Sequence, residues 1–173
     1  MANAQRHPAP DLTDRLLAEA REHDFFCLLE RLHGLHGDDL ESDDAYAAEQ
    51  QRIRLSNCAG MGFPASDVSL AQRLDEELPH QFLVQATFLG MHGPDSPLPS
   101  YYLERLAYEA GQGEGIRPAF FDFFNHRLLT LLHQGWRKYR HYIRFRAGAS
   151  DRLSQRLFAP VSYTHLRAHE TPE

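Results

Sequence analysis

The sequence predicts an α+β fold made of short N-terminal helices, a small antiparallel hairpin or sheet, and a long core helix rich in aromatic residues. Leucines recur at spacings of three and four within residues 1–36, which is typical of amphipathic helices. Apolar and polar residues alternate in runs within residues 52–89, as they do in strands. Residues 118–142 have the longest helical periodicity in the chain.

The composition is that of a folded protein with one core. The chain has 173 residues, of which 42% are hydrophobic and 24% charged, so neither a disordered nor a membrane-embedded chain is expected. Its two cysteines, Cys27 and Cys58, do not make a disulfide framework. The polar start MANAQRHPAPD lacks the blocks of a signal peptide, and we therefore expect a cytoplasmic protein.

Residues 1–36 are predicted to form an N-terminal helical segment of two helices. Asp11 is placed to cap the first helix and Asp24 the second, and Gly34 is a plausible stop for the second. Residues 37–51 are acidic and rich in turn formers, and they predict a solvated linker. A calcium loop is disfavoured because the central glycine and terminal glutamate of an EF-hand are absent from the sequence there.

Residues 52–160 are predicted to form the α+β core. Residues 52–55 alternate as a short strand, and residues 68–74 are expected to pair with 81–89 in a hairpin. A loop with three prolines follows, and its Asp95 and Ser96 are expected to bond nearby backbone. Ser100 is placed to cap the next helix.

The long helix is expected over residues 118–142, packed on the hairpin. Pro118 suits its first turn. The residues expected on its core face are Phe121, Phe124, Leu128, Leu131, Gly135, Tyr139 and Tyr142. Phe124 is thus predicted to be buried, and Gly135 to let another backbone approach closely.

The last 13 residues differ in character from the rest. Residues 161–171 read VSYTHLRAHET, which is what one frame of a common sequencing-library transposon tag encodes. We therefore expect 161–173 to be a non-native, adapter-derived tail on a C-terminally truncated chain. The histidine pair within it is, on this interpretation, no metal site.

Charge is distributed unevenly along the chain. Residues 1–115 hold 8 arginines against 20 acidic residues, whereas residues 116–160 hold 9 basic residues against 2 acidic ones. The basic region leaves open a nucleic-acid-binding module as an alternative. No nucleic-acid motif accompanies it, and contact with a protein partner is the preferred interpretation.

A small cytoplasmic hydrolase is the other alternative, with Cys58 or Ser66 acting together with a histidine. The sequence has no G-x-S-x-G elbow, no phosphate-binding loop and no dinucleotide fingerprint. An enzyme is therefore the weaker class, and we expect no catalytic residue, cofactor or metal.

Three sequence blocks occur in a specific order: MGFPASD at 61–67, FLGMHGPDSPLP at 88–99, and FNHR with WRKYR between 122 and 140. Together they resemble the type VI secretion baseplate subunit family TssG, also called ImpH or VasB. The resemblance covers roughly residues 15–160, about half of a typical member. The structural or interface candidates that it indicates are Gly62, Phe63, Pro64, Ser66, Asp67, Gly90, Gly93, Pro94, Ser96, Pro97, Pro99, Phe124, Asn125, His126, Arg127, Gly135, Trp136, Arg137, Tyr139 and Arg140.

The resemblance implies a noncatalytic scaffold of the baseplate wedge. It implies TssF and TssK as partners, with TssE in the same wedge, and a role in coupling the sheath and tube to the envelope complex. It implies no small-molecule substrate and no nucleic acid. A link to the inner membrane would run only through partners.

Overall fold

The computed structural model describes residues 10–38, 40, 51–74, 80–112, 115–145, 151 and 153–159. The chain divides into two compact units, Met1–Leu132 and His133–Glu173. The elements in order are α1 (Pro10–Ala18), a 3-10 turn (Ala20–Glu22), α2 (Phe25–His36), β1 (Ile53–Asn57), β2 (Val68–Arg73), β3 (Phe82–Ala86), α3 (Ser100–Gln112), α4 (Ile116–Lys138) and α5 (His141–Arg144). A further helical stretch covers 153–159. The α+β prediction is confirmed.

The two N-terminal helices are present, with corrected ends. The Asp24 carboxylate accepts hydrogen bonds from the backbone N–H groups of Phe26 and Cys27, at 3.0 and 3.2 Å, which confirms the predicted cap. The predicted stop at Gly34 is wrong, because α2 continues to His36 and ends at Gly37, whose φ of 69° lies in the left-handed region. Asp11 lies inside α1 rather than before it, since α1 begins at Pro10.

The sheet has three strands in the order β1-β3-β2. β2 and β3 pair antiparallel, which confirms the predicted hairpin, with Arg73 opposite Phe82. β1 adds to the other side of β3 in parallel, with Leu55 opposite Val84. β1 is therefore an edge strand, and its outward N–H groups need acceptors from outside the sheet.

One apolar core joins α2 to the sheet. α2 contributes fully or almost fully buried side chains at four positions, Phe25, Leu28, Leu29 and Leu32. Val68, Phe82 and Val84 face them from the sheet, and Leu129 of α4 joins the same cluster. Alternate residues of β3 point into this core, as the period of a strand requires.

The long helix is present but buries a different face from the one predicted. Asn125 and Leu129 are fully buried, whereas Phe124 is 43% exposed, so the prediction that Phe124 is a core residue is wrong. The helix ends at Lys138, and residues 141–144 form a separate short helix. The expected close approach at Gly135 is also wrong, because an added Cβ there would meet nothing within 4 Å.

Several predicted features lie outside the described residues. These are most of the acidic segment 37–51, the hairpin turn at 75–79 and the tail at 161–173.

Candidate functional site

Two side chains of α4 lie against the exposed edge of β1. The N–H of Leu55 donates to Nδ1 of His126 at 3.0 Å, and the N–H of Asn57 donates to Oδ1 of Asp122 at 3.2 Å. Four residues of helix rise about 6 Å and two residues of strand about 6.6 Å, so side chains one helical turn apart match alternate strand N–H groups. The polar face of α4 therefore closes the sheet edge that β1 would otherwise expose.

Asn57, at the end of β1, is the centre of a buried polar network. Its side-chain amide donates to the carbonyl of Phe88 at 2.7 Å. Its own carbonyl accepts from Nε2 of His92 at 2.8 Å and from the Gln85 amide at 3.4 Å. Because Asn57 and His92 are each 2% exposed, these groups have little access to water and depend on one another.

Asn125 links the same network to the proline loop. Its Oδ1 accepts from the N–H of Met91 at 2.8 Å, and its amide donates to Asp122 at 3.2 Å and lies 3.3 Å from Nδ1 of His92. In this arrangement Nε2 of His92 carries the proton and Nδ1 accepts. The second and third sequence blocks are thus held together by hydrogen bonds.

Glycines in the proline loop allow this close packing. A Cβ on Gly90 would lie 2.4 to 2.6 Å from the side-chain amide atoms of Asn57. Gly93 has a φ of 99°, and a Cβ there would lie 2.8 Å from the carbonyl oxygen of Cys58. Both positions therefore require glycine.

Ser96 fixes the far side of the loop. Its hydroxyl donates to the carbonyl of Met91 at 2.7 Å and accepts from the N–H of Leu98 at 3.1 Å. The expected backbone bonding is confirmed for Ser96, while Asp95 is exposed. Pro94 is half-buried, and Pro97 and Pro99 are exposed on the outer side.

His126 is held as a neutral hydrogen-bonding group. Its Nδ1 accepts from Leu55, and its Nε2 lies against Oε1 of Gln51. The pKa of His126 is lowered from 6.5 to about 4, mainly by burial and to a smaller extent by the neighbouring His80, Arg54 and Arg127. Protonation of Nδ1 would set its N–H against the N–H of Leu55, and the hydrogen bond between them would be lost.

The first sequence block lines a separate cleft. Oγ of Ser66 donates to the carbonyl of Val68 at 2.9 Å, and the N–H of Thr87 donates to the carbonyl of Asp67 at 3.0 Å, so the block is tied to the hairpin. Cys58 and Ser66 line this cleft of about 310 Å³ together with Gly62 and Pro64. No histidine is among its described lining residues, and the structure does not assemble the nucleophile and base of the hydrolase alternative there.

In the second unit the aromatic and basic residues of the third block contact one another. The Trp136 ring stacks with His133, with centroids 6.2 Å apart, and the Arg140 guanidinium lies 4.2 Å from its centroid. Arg137 is buried, whereas Tyr139 is 79% exposed. This block supplies both local packing and an exposed aromatic ring.

The comparison with protein families decides the identity. The family described as "Type VI secretion, TssG" has a model that matches residues 19–172.

The chain belongs to the type VI secretion TssG family.

The match confirms the resemblance drawn from the three blocks. No curated protein and no solved structure matches the chain. TssG proteins are structural components of the type VI secretion baseplate, and contacts with other baseplate proteins follow from that role.

Neither a metal site nor a membrane span is found in the part of the chain that the structure describes. No group of three or more His, Cys, Asp or Glu side chains there is placed to hold a metal ion. No helix in the described ranges combines the length and apolar character needed to cross a bilayer.

The candidates drawn from the sequence did not include four residues of the polar network: Asn57, Gln85, His92 and Asp122. Asn57 follows the strand predicted over residues 52–55 and has no motif around it. Asp122 and His126, by contrast, are four residues apart on a predicted helix, and that spacing was a usable sign of a shared polar face. It was obscured by the stronger aromatic stripe.

Proposed function

We propose that this chain is a scaffold subunit of the type VI secretion baseplate wedge that joins TssF and TssK, with TssE in the same wedge. In this role it acts in the cytoplasm, is docked at the inner membrane through its partners, and couples assembly of the sheath and tube to the envelope complex. Membership of the TssG family supports the proposal.

The observation that best supports the scaffold role is that α4 packs its polar face inward and leaves its aromatic side chains exposed. The helix turns Asp122 and Asn125 inward and leaves large apolar side chains such as Phe120 and Phe123 exposed. Exposed apolar surface of this kind is typical of protein interfaces.

The candidate residues divide into two groups by exposure. Asn125 and Gly93 are buried and hold the proline loop to β1 and α4. Phe63, which is 100% exposed, and Tyr139 present aromatic rings outward. We propose that the buried residues maintain the fold around the proline loop and that the exposed residues contact partner proteins.

Coexpression tests the proposal. The tagged chain is produced together with TssF and TssK, captured through its tag and passed over a size-exclusion column, with the tag alone as control. Elution of all three proteins in one peak is expected. A chain that elutes alone while TssF and TssK remain in the unbound fraction would contradict the proposed function.

A further inference from the structure

α4 carries an apolar face within the first unit, which we call the aromatic face. Its members are Ile116, Phe120, Phe123, Phe124, Leu128 and Leu131, all of them exposed. They recur at spacings of three and four over about 22 Å of helix. Phe124 packs edge-to-face against both Phe120 and Phe123, with centroids 5.4 Å apart in each pair, so the rings position one another before any partner arrives.

An apolar groove adjoins one end of the aromatic face. It lies between α3 and α4 and has a volume of about 760 Å³. Tyr102 and Leu106 line it from α3, and Ile116 and Phe120 line it from α4. The groove is large enough to receive bulky apolar side chains from another molecule.

The charges at this surface are positive. Arg105 and Arg117 line the groove, and both pair with the same oxygen, Oε1 of Glu109, at 3.5 and 2.6 Å. No carboxylate is among the described residues that line the groove. One carboxylate thus balances two guanidinium groups at its border.

Arg127 lies in the middle of the aromatic face, four residues from both Phe123 and Leu131. It is exposed, and no carboxylate among the described residues forms an ion pair with it. A purely apolar partner would strip water from this guanidinium and leave it unpaired, which is unfavourable. The partner must therefore bring a carboxylate to Arg127.

We infer that the aromatic face and the α3–α4 groove dock an amphipathic helix of a partner protein, whose apolar stripe carries carboxylates that pair with Arg127 and with the groove arginines. An apolar helical stripe of this length is matched by a second helix laid along it. A second copy of this chain fits less well, because it would bring one Arg127 close to another. The inference rests on the proposed function, since a baseplate subunit binds partner proteins.

Two synthetic peptides of 18 residues test the chemistry directly. Both are helical and carry the same stripe of leucine and phenylalanine, and they differ only in having glutamate or lysine beside that stripe. Binding to the full 173-residue chain is measured by fluorescence anisotropy. The glutamate peptide is expected to bind about tenfold more tightly than the lysine peptide, and the difference should shrink with added salt.

Variants locate the binding. Arg127→Gln is expected to reduce the preference for the glutamate peptide, because Arg105 and Arg117 remain, and Arg127→Glu to reduce it further. Phe120→Asp should weaken binding of both. Arg31→Glu, which makes the same charge change at an exposed position on α2, should alter neither. Circular dichroism of each variant verifies that the fold is intact, which is expected because the changed side chains are exposed.

The outcomes separate this inference from the proposed function. Equal binding of the two peptides, absence of binding, or binding unaffected by Arg127→Glu and Phe120→Asp would overturn the docking inference. A dimer seen in sedimentation and abolished by Phe120→Asp would also overturn it, by assigning the face to a second copy. Because neither TssF nor TssK takes part, each of these results leaves the coexpression test independent.

Discussion

Asp122 and His126 lie one turn apart on α4 and accept the backbone N–H groups of Asn57 and Leu55, two alternate residues of β1. Because the spacing of the helix matches that of the strand, one face of α4 provides hydrogen-bond acceptors for both of these N–H groups at the edge of β1. This match also explains why α4 buries polar atoms and leaves its aromatic rings outside.

Removal of the Asp122 carboxylate should destabilise the fold. Asp122→Ala leaves the Asn57 N–H without its acceptor and the Asn125 amide without one of its contacts, and a loss of about 2 kcal/mol is expected in the free energy of unfolding. Asp122→Asn keeps one acceptor oxygen and should lose less than about 1 kcal/mol. Urea denaturation followed by circular dichroism measures both, and equal losses would show that the acceptor is not what matters.

Stability should fall with acid because of His126. The unfolded imidazole takes up a proton near pH 6.5, whereas in the folded chain the pKa is about 4. The stabilisation is therefore fully present above pH 6.5 and is lost as the pH falls from 6.5 toward 4, by about 2 kcal/mol after allowance for solvent screening of a partly exposed ring.

The control for this pH dependence is His126→Gln, which keeps an acceptor for Leu55 but does not titrate. Between pH 6.5 and 4, its urea midpoint should depend less on pH than the midpoint of the unsubstituted chain. His36, whose pKa is lowered by burial and by Arg52, titrates in both chains and cancels in the comparison. If the urea midpoints of the two chains changed equally with pH, the pH dependence could not be assigned to His126.

Two glycine substitutions should act in opposite directions. Gly90→Ala forces a Cβ to within about 2.5 Å of the Asn57 amide, and a loss of about 1 to 3 kcal/mol is expected. Gly135→Ala meets nothing within 4 Å and lies inside a helix, so stability should rise by up to about 1 kcal/mol. Thermal melts of the two variants distinguish the sites, and a stabilising Gly90→Ala would mean that the loop does not pack closely on Asn57.

The two faces of α4 should respond differently to truncation. Leu129→Ala empties a fully buried position and should cost about 2 to 5 kcal/mol. Phe124→Ala removes a side chain that is 43% exposed and should cost about 1 kcal/mol or less in the chain alone. Chemical denaturation of both variants tests the orientation of the helix, and a larger loss at Phe124 would restore the face predicted from the sequence.

Much of the fold was predictable because local chemistry determines it. Asp24 has the cap geometry that its position indicates, and alternation of apolar residues gave the hairpin of β2 and β3. The end of α2 was not predictable to the residue, because Gly34 and Gly37 are equally good candidates and only Gly37 takes the left-handed conformation.

The buried face of α4 was beyond prediction from hydropathy. A stripe that contains Phe124 and Leu128 has the periodicity of a core face. The unpaired N–H groups of β1 are a tertiary feature, however, and they require acceptors that only the opposite face provides. In the site, Gly90 and Gly93 were recognised as structural, but Asn57, whose side chain lies next to both, had no signature in the sequence.

The closure of β1 by α4 also limits how this subunit meets its neighbours. An open strand edge accepts almost any extended chain, because backbone pairing ignores side-chain identity. The N–H groups of Leu55 and Asn57 are already used, so they are not available to pair with an added strand. Strand addition at these two positions would first require α4 to release both N–H groups.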